Sequence, residues 1–190
     1  MRFVIIGSGI VGLSIAKVLI DRKISDPKNL LIIDKYSTPS KGTSTHNSGV
    51  LHAGLYYKPG SLKAKLSIEG SLKLKEWCNE NKIKVSSCGK LLVPFSKEDF
   101  KNLRKIEKNA IKNGCKIELI EYDQAIKIQP ELVKKEIYLW SPKTAVFDPN
   151  SIIKVLYKSL KEKGVKFLKK AVKFDNSEKK KLYFDDNTSI

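Results

Sequence analysis

The sequence is poor in the residues that mark several common kinds of site. Its three cysteines, Cys78, Cys88 and Cys115, are odd in number and do not follow the spacing of a metal or redox motif. No apolar run approaches the roughly 20 residues of a membrane helix. The amino terminus also lacks the layout of a signal peptide. We therefore expect a cytoplasmic protein without disulfides or a metal site.

Arginine is scarce too, although the chain is strongly basic. Lysine and arginine number 37 against 20 acidic residues, for a formal net charge of +17, yet only three of the 37 are arginine. The lysines are spread along the whole chain, whereas a nucleic-acid groove would concentrate its charge, use arginine and interleave aromatic side chains. This pattern favours a lysine-covered surface and predicts no nucleic-acid partner. A basic nucleic-acid-binding module is the weakest alternative.

The amino-terminal segment has the pattern of a βαβ unit. The stretch "RFVIIGSGIVGLSIAKVLIDR" predicts a short buried strand, a glycine turn and a helix, and "NLLIIDKY" predicts a second strand that ends in an acid. A crossover of this kind favours a parallel sheet. The sequence therefore predicts an α/β, Rossmann-like fold.

Three glycines form a GxGxxG motif between the predicted strand and helix. Gly7 permits the tight turn, Gly9 lets the backbone approach a pyrophosphate, and Gly12 lets the helix pack close to the sheet. Asp34 ends the second strand about 20 residues later, where a carboxylate binds a ribose hydroxyl. This context favours dinucleotide binding and disfavours NADP. The motif alone leaves NAD and FAD open.

The rest of the chain alternates helices with short strands. Residues 37–61 are rich in Ser, Thr, Gly and Pro and predict irregular structure. Helices are predicted over residues 61–81, interrupted by Gly70, and over residues 97–113, 123–129 and 148–164. Strands are predicted over residues 90–94, 118–120, 137–140, 165–168, 171–174 and 181–184, the last two as a hairpin.

Both histidines of the chain lie in one stretch, "HNSGVLH" at residues 46–52. Their separation fits neither a helical metal-binding pair nor a usual zinc spacing, and no cysteine or carboxylate cluster joins them. Gly49 and Gly54 flank His52, as they would where the backbone passes close to a flat ligand. Two ordinary surface histidines in a loop are the alternative interpretation.

Several stretches of the chain resemble one family. They are "GSGIVGLSIAKVL", "IIDKY", "HNSGVLHAGLYYKPGSLKAKLSIEG", "CGKLLVP" and "SPKTAVFDP". Together they are similar to the L-2-hydroxyglutarate dehydrogenase/oxidase family, which belongs to the D-amino-acid-oxidase-like flavoproteins. The resemblance covers essentially the whole chain and is most specific over residues 46–65.

The resemblance implies FAD as the cofactor and gives each motif a role. The nucleotide part of FAD would be bound by Gly7, Ser8, Gly9, Ile10, Gly12, Asp34 and Lys35. The flavin would lie along His46, Asn47, Ser48 and Gly49, and the adenine beside Val172. His52 would lie near the isoalloxazine and act as the base. A histidine that titrates near neutrality suits that step, in which a hydroxyl loses its proton as a hydride leaves C2.

The resemblance also implies a domain organisation. Residues 1–85 would form the first part of an FAD-binding domain, 86–142 an inserted α+β portion of a substrate domain, and 143–190 an incomplete return to the FAD-binding domain. Asp34 stands where glutamate is usual, and Ala145 stands where glycine is expected in a turn with positive φ. Family members are much longer. The chain is therefore expected to be a truncated amino-terminal half, with a missing carboxy-terminal half as a partner.

The predicted function is FAD-dependent oxidation of a small-molecule 2-hydroxy acid, with L-2-hydroxyglutarate converted to 2-oxoglutarate by hydride transfer to flavin. A non-catalytic truncated fragment, or a related flavoprotein acting on glycerol 3-phosphate or an amino acid, is the alternative. The sequence does not determine whether the electron acceptor is oxygen or a membrane quinone. A peripheral membrane contact is therefore also left open. Tyr56, Tyr57, Lys58 and Lys90 are candidates for contacts with substrate carboxylates, but ordinary surface use is favoured.

Overall fold

A computed structural model describes residues 3–173 and 181–189. The chain divides into two compact units, the first made of Met1–Asn47 and Pro149–Ile190 and the second of Ser48–Asp148. The predicted domain boundaries, after residues 85 and 142, fall at other residues because they follow the expected functions of the segments. The assignment of residues 86–142 to a substrate domain stays a prediction.

The described residues alternate strands and helices along the chain. The strands are β1 (Phe3–Ile6), β2 (Leu30–Asp34), β3 (Val50–Leu51), β4 (Val85–Ser86), β5 (Lys90–Leu92), β6 (Glu118–Ile120), β7 (Tyr138–Ser141), β8 (Ala145–Phe147), β9 (Lys166–Lys169), β10 (Val172–Lys173) and β11 (Tyr183–Phe184). The helices are α1 (Ile10–Asp21), α2 (Leu62–Glu80), α3 (Lys97–Lys112), α4 (Tyr122–Ile128) and α5 (Pro149–Glu162).

The first unit is built on a parallel sheet with strand order β1-β2-β9. Strand β2 pairs with β1 from Phe3↔Leu30 and with β9 from Leu31↔Lys166. The apolar residues of β2 are almost all buried, and α1 and α5 contact each other with apolar residues buried on each helix. The apolar residues that recur at strand and helix spacing in the sequence therefore form the core of this unit.

The predicted hairpin near the end of the chain is present. Strands β10 and β11 pair antiparallel, with Val172 opposite Phe184 and Lys173 opposite Tyr183. The predicted end of the first of these strands, at residue 174, lies outside the described residues. Phe184 is buried, so the hairpin also contributes to the core.

The second unit contains two antiparallel sheets, with orders β3-β8-β4 and β5-β7-β6. Tyr138 on β7 is fully buried in a cluster with Ile120 and Ala125. Its hydroxyl donates to the carbonyl of Val133 at 2.7 Å and accepts from the N–H of Lys135 at 2.8 Å. Because both hydrogen bonds are made, the polar tip of this buried ring is satisfied.

Two predictions about backbone conformation are wrong. Gly70 does not interrupt α2, which runs unbroken from Leu62 to Glu80 and is capped by the Ser61 hydroxyl, which accepts from the N–H of Ala64. Ala145 does not lie in a turn with positive φ. It is fully buried in β8, opposite Leu51 of β3, where a methyl group fits without strain.

Candidate functional site

The glycine turn after β1 has the geometry that the motif predicts. Gly7 has φ +103°, which favours glycine, and its N–H donates to the carbonyl of Ile33 at 2.7 Å. A Cβ added to Gly12 would lie 2.0 Å from the carbonyl oxygen of Gly7. Helix α1 begins at Ile10, and its N-cap residue, Gly9, has no side chain that could cap it. The N–H groups of the first turn and the helix dipole therefore suit a phosphate.

Ser44 lies beside the glycine turn of the candidate site and was not predicted from the sequence. Its hydroxyl accepts from the N–H of Ile10 at 3.0 Å, and it would lie 2.8 Å from a Cβ added to Gly9. Ser44 belongs to the short 3-10 turn Thr43–Thr45. No period relates it to the glycine motif, so the available signal is the abundance of small hydroxyl residues in "GTSTHNSG".

Asp34, at the end of β2, is fixed by three hydrogen bonds. The N–H and the hydroxyl of Ser8 donate to Oδ2 at 2.7 and 2.8 Å, and the N–H of Tyr36 donates to Oδ1 at 2.9 Å. Burial acts to raise the pKa of Asp34, but these hydrogen bonds and the charge of Lys35 outweigh it and hold the pKa below its usual value. The carboxylate is therefore ionised at neutral pH and is tied to the glycine turn.

A cavity of about 370 Å³ brings together several of the predicted nucleotide-binding residues. Its lining includes Gly7, Asp34, Lys35, Val172 and Lys170, all in the first unit. An adenosine diphosphate moiety binds at strand ends, beside a glycine turn and an acid. The cavity offers two carboxyl-terminal strand ends, the glycine turn and the ionised Asp34. The residues present therefore fit the nucleotide part of FAD.

Replacing Asp34 with asparagine should weaken retention of FAD by about tenfold, because charge-assisted hydrogen bonds are lost while the shape of the side chain is kept. The flavin that remains bound after desalting measures the effect. Because the pKa of Asp34 is lowered in the folded state, the ionised carboxylate stabilises the fold at pH values above its unfolded-state pKa. This stabilisation is lost as the pH falls through the folded-state pKa. Asp34→Glu keeps the charge and serves as the control. Equal retention by Asp34→Asn and the wild type at neutral pH would contradict the role.

The two residues that open the histidine stretch hold the turn that carries Ser44. His46 Nδ1 lies 2.9 Å from the carbonyl oxygen of Gly42, and Asn47 Nδ2 donates to the carbonyl of Ser44 at 2.9 Å. Both side chains are exposed, and both belong to the first unit. His46 Nδ1 also lies 3.1 Å from the hydroxyl of Thr45 in the same turn. The contact of His46 and Asn47 with flavin stays a prediction.

The rest of the histidine stretch belongs to the second unit. Ser48 is exposed, while Gly49 is buried, has φ +61° and accepts from the N–H of Phe147 at 3.0 Å through its carbonyl. This bond extends the pairing of β3 with β8. The peptide that leads to His52 is thereby fixed to a sheet.

His52 follows β3 and is exposed. In the part of the chain that the structure describes, its ring nitrogens make no hydrogen bond, so they are available to a ligand. Partial burial and, second, the charge of Lys90 lower the pKa of His52 below its usual value. The imidazole is therefore neutral at physiological pH and can accept a proton.

The backbone that follows His52 is held by two residues just after α3, Asn113 and Cys115. Asn113, just after α3, donates through Nδ2 to the carbonyls of Gly54 at 3.2 Å and Tyr57 at 2.9 Å. The thiol of Cys115 donates to the carbonyl of Ala53 at 2.9 Å. The loop that presents the imidazole is therefore fixed by long-range contacts within the second unit.

Two features are absent from the described residues. No group of three or more histidine, cysteine, aspartate or glutamate side chains could hold a metal ion. No described helix combines the length and the apolar character that crossing a membrane requires.

Comparison with known proteins places these residues in a family. Residues 2–184 match the family model described as DAO, FAD dependent oxidoreductase. The chain is 37% identical over 189 residues to the mitochondrial L-2-hydroxyglutarate dehydrogenase of Dictyostelium discoideum, covering 98% of this chain and 42% of that protein. It is 38% identical over 130 residues to the L-2-hydroxyglutarate dehydrogenase of Escherichia coli (strain K12), covering 68% of this chain and 30% of that protein.

Solved structures share the fold. The FAD-bound L-alpha-glycerophosphate oxidase from Mycoplasma pneumoniae superimposes with a TM-score of 0.81 at 20% identity, over 98% of this chain and 50% of that one. The L-proline dehydrogenase from P. horikoshii gives 0.79 at 23% identity, over 100% of this chain and 50% of that one. These likenesses confirm the predicted α/β, Rossmann-like fold.

The chain spans less than half the length of the curated relatives cited above. The match to the family model nevertheless runs through both units, from the glycine turn to β11. The chain therefore belongs to the DAO family of FAD-dependent oxidoreductases, whose cofactor is FAD.

Proposed function

We propose that the protein containing this chain oxidises L-2-hydroxyglutarate to 2-oxoglutarate with FAD. One observation carries the proposal: a neutral imidazole that makes no hydrogen bond to the described residues lies on a fixed loop, in a chain 37% identical over 98% of its length to a protein named for that reaction. The predicted contacts of Gly7, Ser8 and Asp34 with the nucleotide belong to the same proposal.

The predicted nucleotide-binding residues and the predicted base have different roles in the reaction. When bound, FAD would supply the two-electron acceptor for the hydride that leaves C2 of the substrate. His52 accepts the proton of the C2 hydroxyl, so the C–O bond becomes C=O as the C2–H bond breaks with its electron pair. Ser8 and Asp34 hold the nucleotide, and the loop fixed by Asn113 holds the imidazole in place.

The test is an absorption spectrum of the purified 190-residue chain, incubated with FAD and then desalted. Retained flavin bands that bleach when L-2-hydroxyglutarate is added without oxygen are the expected result. D-2-hydroxyglutarate, glycerol 3-phosphate and an amino acid serve as comparison substrates. Faster bleaching by one of these would reassign the substrate, retained flavin that none of them reduces would contradict activity of this chain, and a colourless protein would contradict its binding of FAD.

A further inference from the structure

Lys90 begins β5 at a position that its neighbours fix closely. It pairs with Ser141 of β7. Gly89, just before it, has φ +71°, donates its N–H to the carbonyl of Thr144 at 3.0 Å, and lies so close to Trp140 that an added Cβ would be 1.9 Å from the ring. The backbone that carries Lys90 is therefore determined by the second unit's own packing.

The charged end of Lys90 is partnered by a ring and not by an acid. Its Nζ lies 5.0 Å from the centroid of the Tyr56 ring, a cation–π distance. The side chain is half-buried, and among the described residues no carboxylate forms an ion pair with it. A partly desolvated cation without a counter-charge attracts an anion.

Lys90 and His52 act on the same small region. Tyr56, which Lys90 faces, is on the loop that starts at His52 and is held by Asn113. The charge of Lys90 is also the second cause, after burial, of the lowered pKa of His52. The ammonium of Lys90 and the imidazole of His52 are therefore both associated with the loop that starts at His52.

We propose that Lys90 binds a carboxylate of the 2-hydroxy acid beside His52 and thereby determines the specificity of the site for acidic substrates. The proposal rests on the proposed function, because it places the substrate hydroxyl at His52. Tyr56 would position the ammonium through its ring face. Ser67, whose hydroxyl lies 3.5 Å from the carbonyl oxygen of His52, contacts the backbone there and leaves the imidazole to the ligand.

Substrate binding at Lys90 would also act on the base. A bound carboxylate offsets the charge of the ammonium, so one of the two causes that lower the pKa of His52 is removed. The pKa of His52 should then rise toward its usual value, and the imidazole becomes a better proton acceptor while the substrate is in place.

The experiment follows the imidazole carbon-bound protons of the chain by NMR, with L-2-hydroxyglutarate as the probe. The chain has two histidines, so His46 serves as an internal reference. The test variant is Lys90→Met, which keeps the length of the side chain and removes its charge. Lys63→Met is the matched control, since Lys63 Nζ lies 4.8 Å above the Tyr57 ring in a second lysine–tyrosine pair that does not contribute to the pKa shift of His52.

In the wild type and in Lys63→Met, the probe should raise the pKa of His52 and should not move the ring-proton signals of His46. In Lys90→Met the pKa of His52 should already be higher without the probe, the probe should not move it further, and its dissociation constant should rise by about 10- to 100-fold, the loss of one charge-assisted hydrogen bond. Lys90→Arg should restore part of the affinity. A wild-type His52 that does not respond to the probe, or an equal response in Lys90→Met, would overturn the proposal. These readouts do not use flavin reduction, so they separate failure of this inference from failure of the proposed function.

Discussion

Replacing Gly12 with alanine is expected to abolish retention of FAD by the chain. The new Cβ would lie 2.0 Å from the carbonyl oxygen and 3.2 Å from the carbonyl carbon of Gly7, and 3.2 Å from Cγ2 of Ile5. The first contact is with backbone, which cannot rotate away. Either α1 shifts from β1 or the glycine turn opens, and both changes displace the helix terminus that suits the phosphate.

The sign of this effect is not obvious from helix propensity. Alanine inside a helix is more favourable than glycine by about 1 kcal/mol. Overpacking typically costs about 1–3 kcal/mol, and the contact at Gly12 is far shorter than any real Cβ contact. We therefore expect the steric cost to exceed the gain in propensity.

Flavin absorbance after desalting, with far-ultraviolet circular dichroism to follow the helices, measures the effect. Gly42→Ala is the control in the same unit, because an added Cβ meets nothing within 4 Å and φ is −107°. Gly70→Ala, in the open middle of α2, reports the propensity gain alone. Retention of FAD by Gly12→Ala at the wild-type level would show that the helix can move without cost to the site.

The elements that were predicted well are those whose signals are local. Three elements combine a hydrophobic period with a start or stop residue a few positions away. They are the glycine turn, β2 with its terminal Asp34, and α5, which begins at Pro149. The strand at residues 118–120 and the final hairpin were found in the same way. Short-range chemistry decides these structures, so one sequence contains enough information to predict them.

The failures concern contacts between distant residues. Gly70 has weak helix propensity, but α2 continues through it because the helix is held by packing and by its cap at Ser61. Ser44 reaches Ile10 across 34 positions of sequence, and no spacing rule connects the two. Ala145 was assigned a turn from the resemblance, whereas its pairing with Leu51 makes it a strand residue.

The same difference between local signals and long-range contacts applies to His52, the candidate base. The stretch "HNSGVLH" could be selected from sequence, since it holds both histidines and is rich in small residues. The supports of His52 could not, because Asn113 and Cys115 lie about 60 positions away and act through backbone carbonyls. Lys90 could be named from sequence only as one of several candidates for contact with a carboxylate, because its position over Tyr56 is a long-range contact.

Replacing His52 with alanine should slow the reduction of bound flavin by L-2-hydroxyglutarate by about 100- to 10,000-fold, the usual contribution of a general base. Retention of FAD should stay unchanged, because the predicted nucleotide contacts lie at the glycine turn and Asp34. Stopped-flow absorbance without oxygen measures the rate per bound flavin. His46→Ala is the informative partner. It removes the contact with the Gly42 carbonyl, so it should lower the retained flavin and leave the rate per bound flavin near that of the wild type.

The pH dependence of the same rate tests the role of the imidazole directly. Only neutral His52 can accept the hydroxyl proton, and both burial and the charge of Lys90 favour the neutral form. Measured at substrate concentrations far below saturation, where it reports the substrate-free protein, the rate should therefore be constant near neutrality and fall as the pH drops through a pKa below that of an ordinary histidine. In Lys90→Met this fall should begin at a higher pH, because one cause of the lowered pKa is gone. A profile that keeps its position in Lys90→Met, or a His52→Ala variant that is reduced as fast as the wild type, would assign the proton to another group.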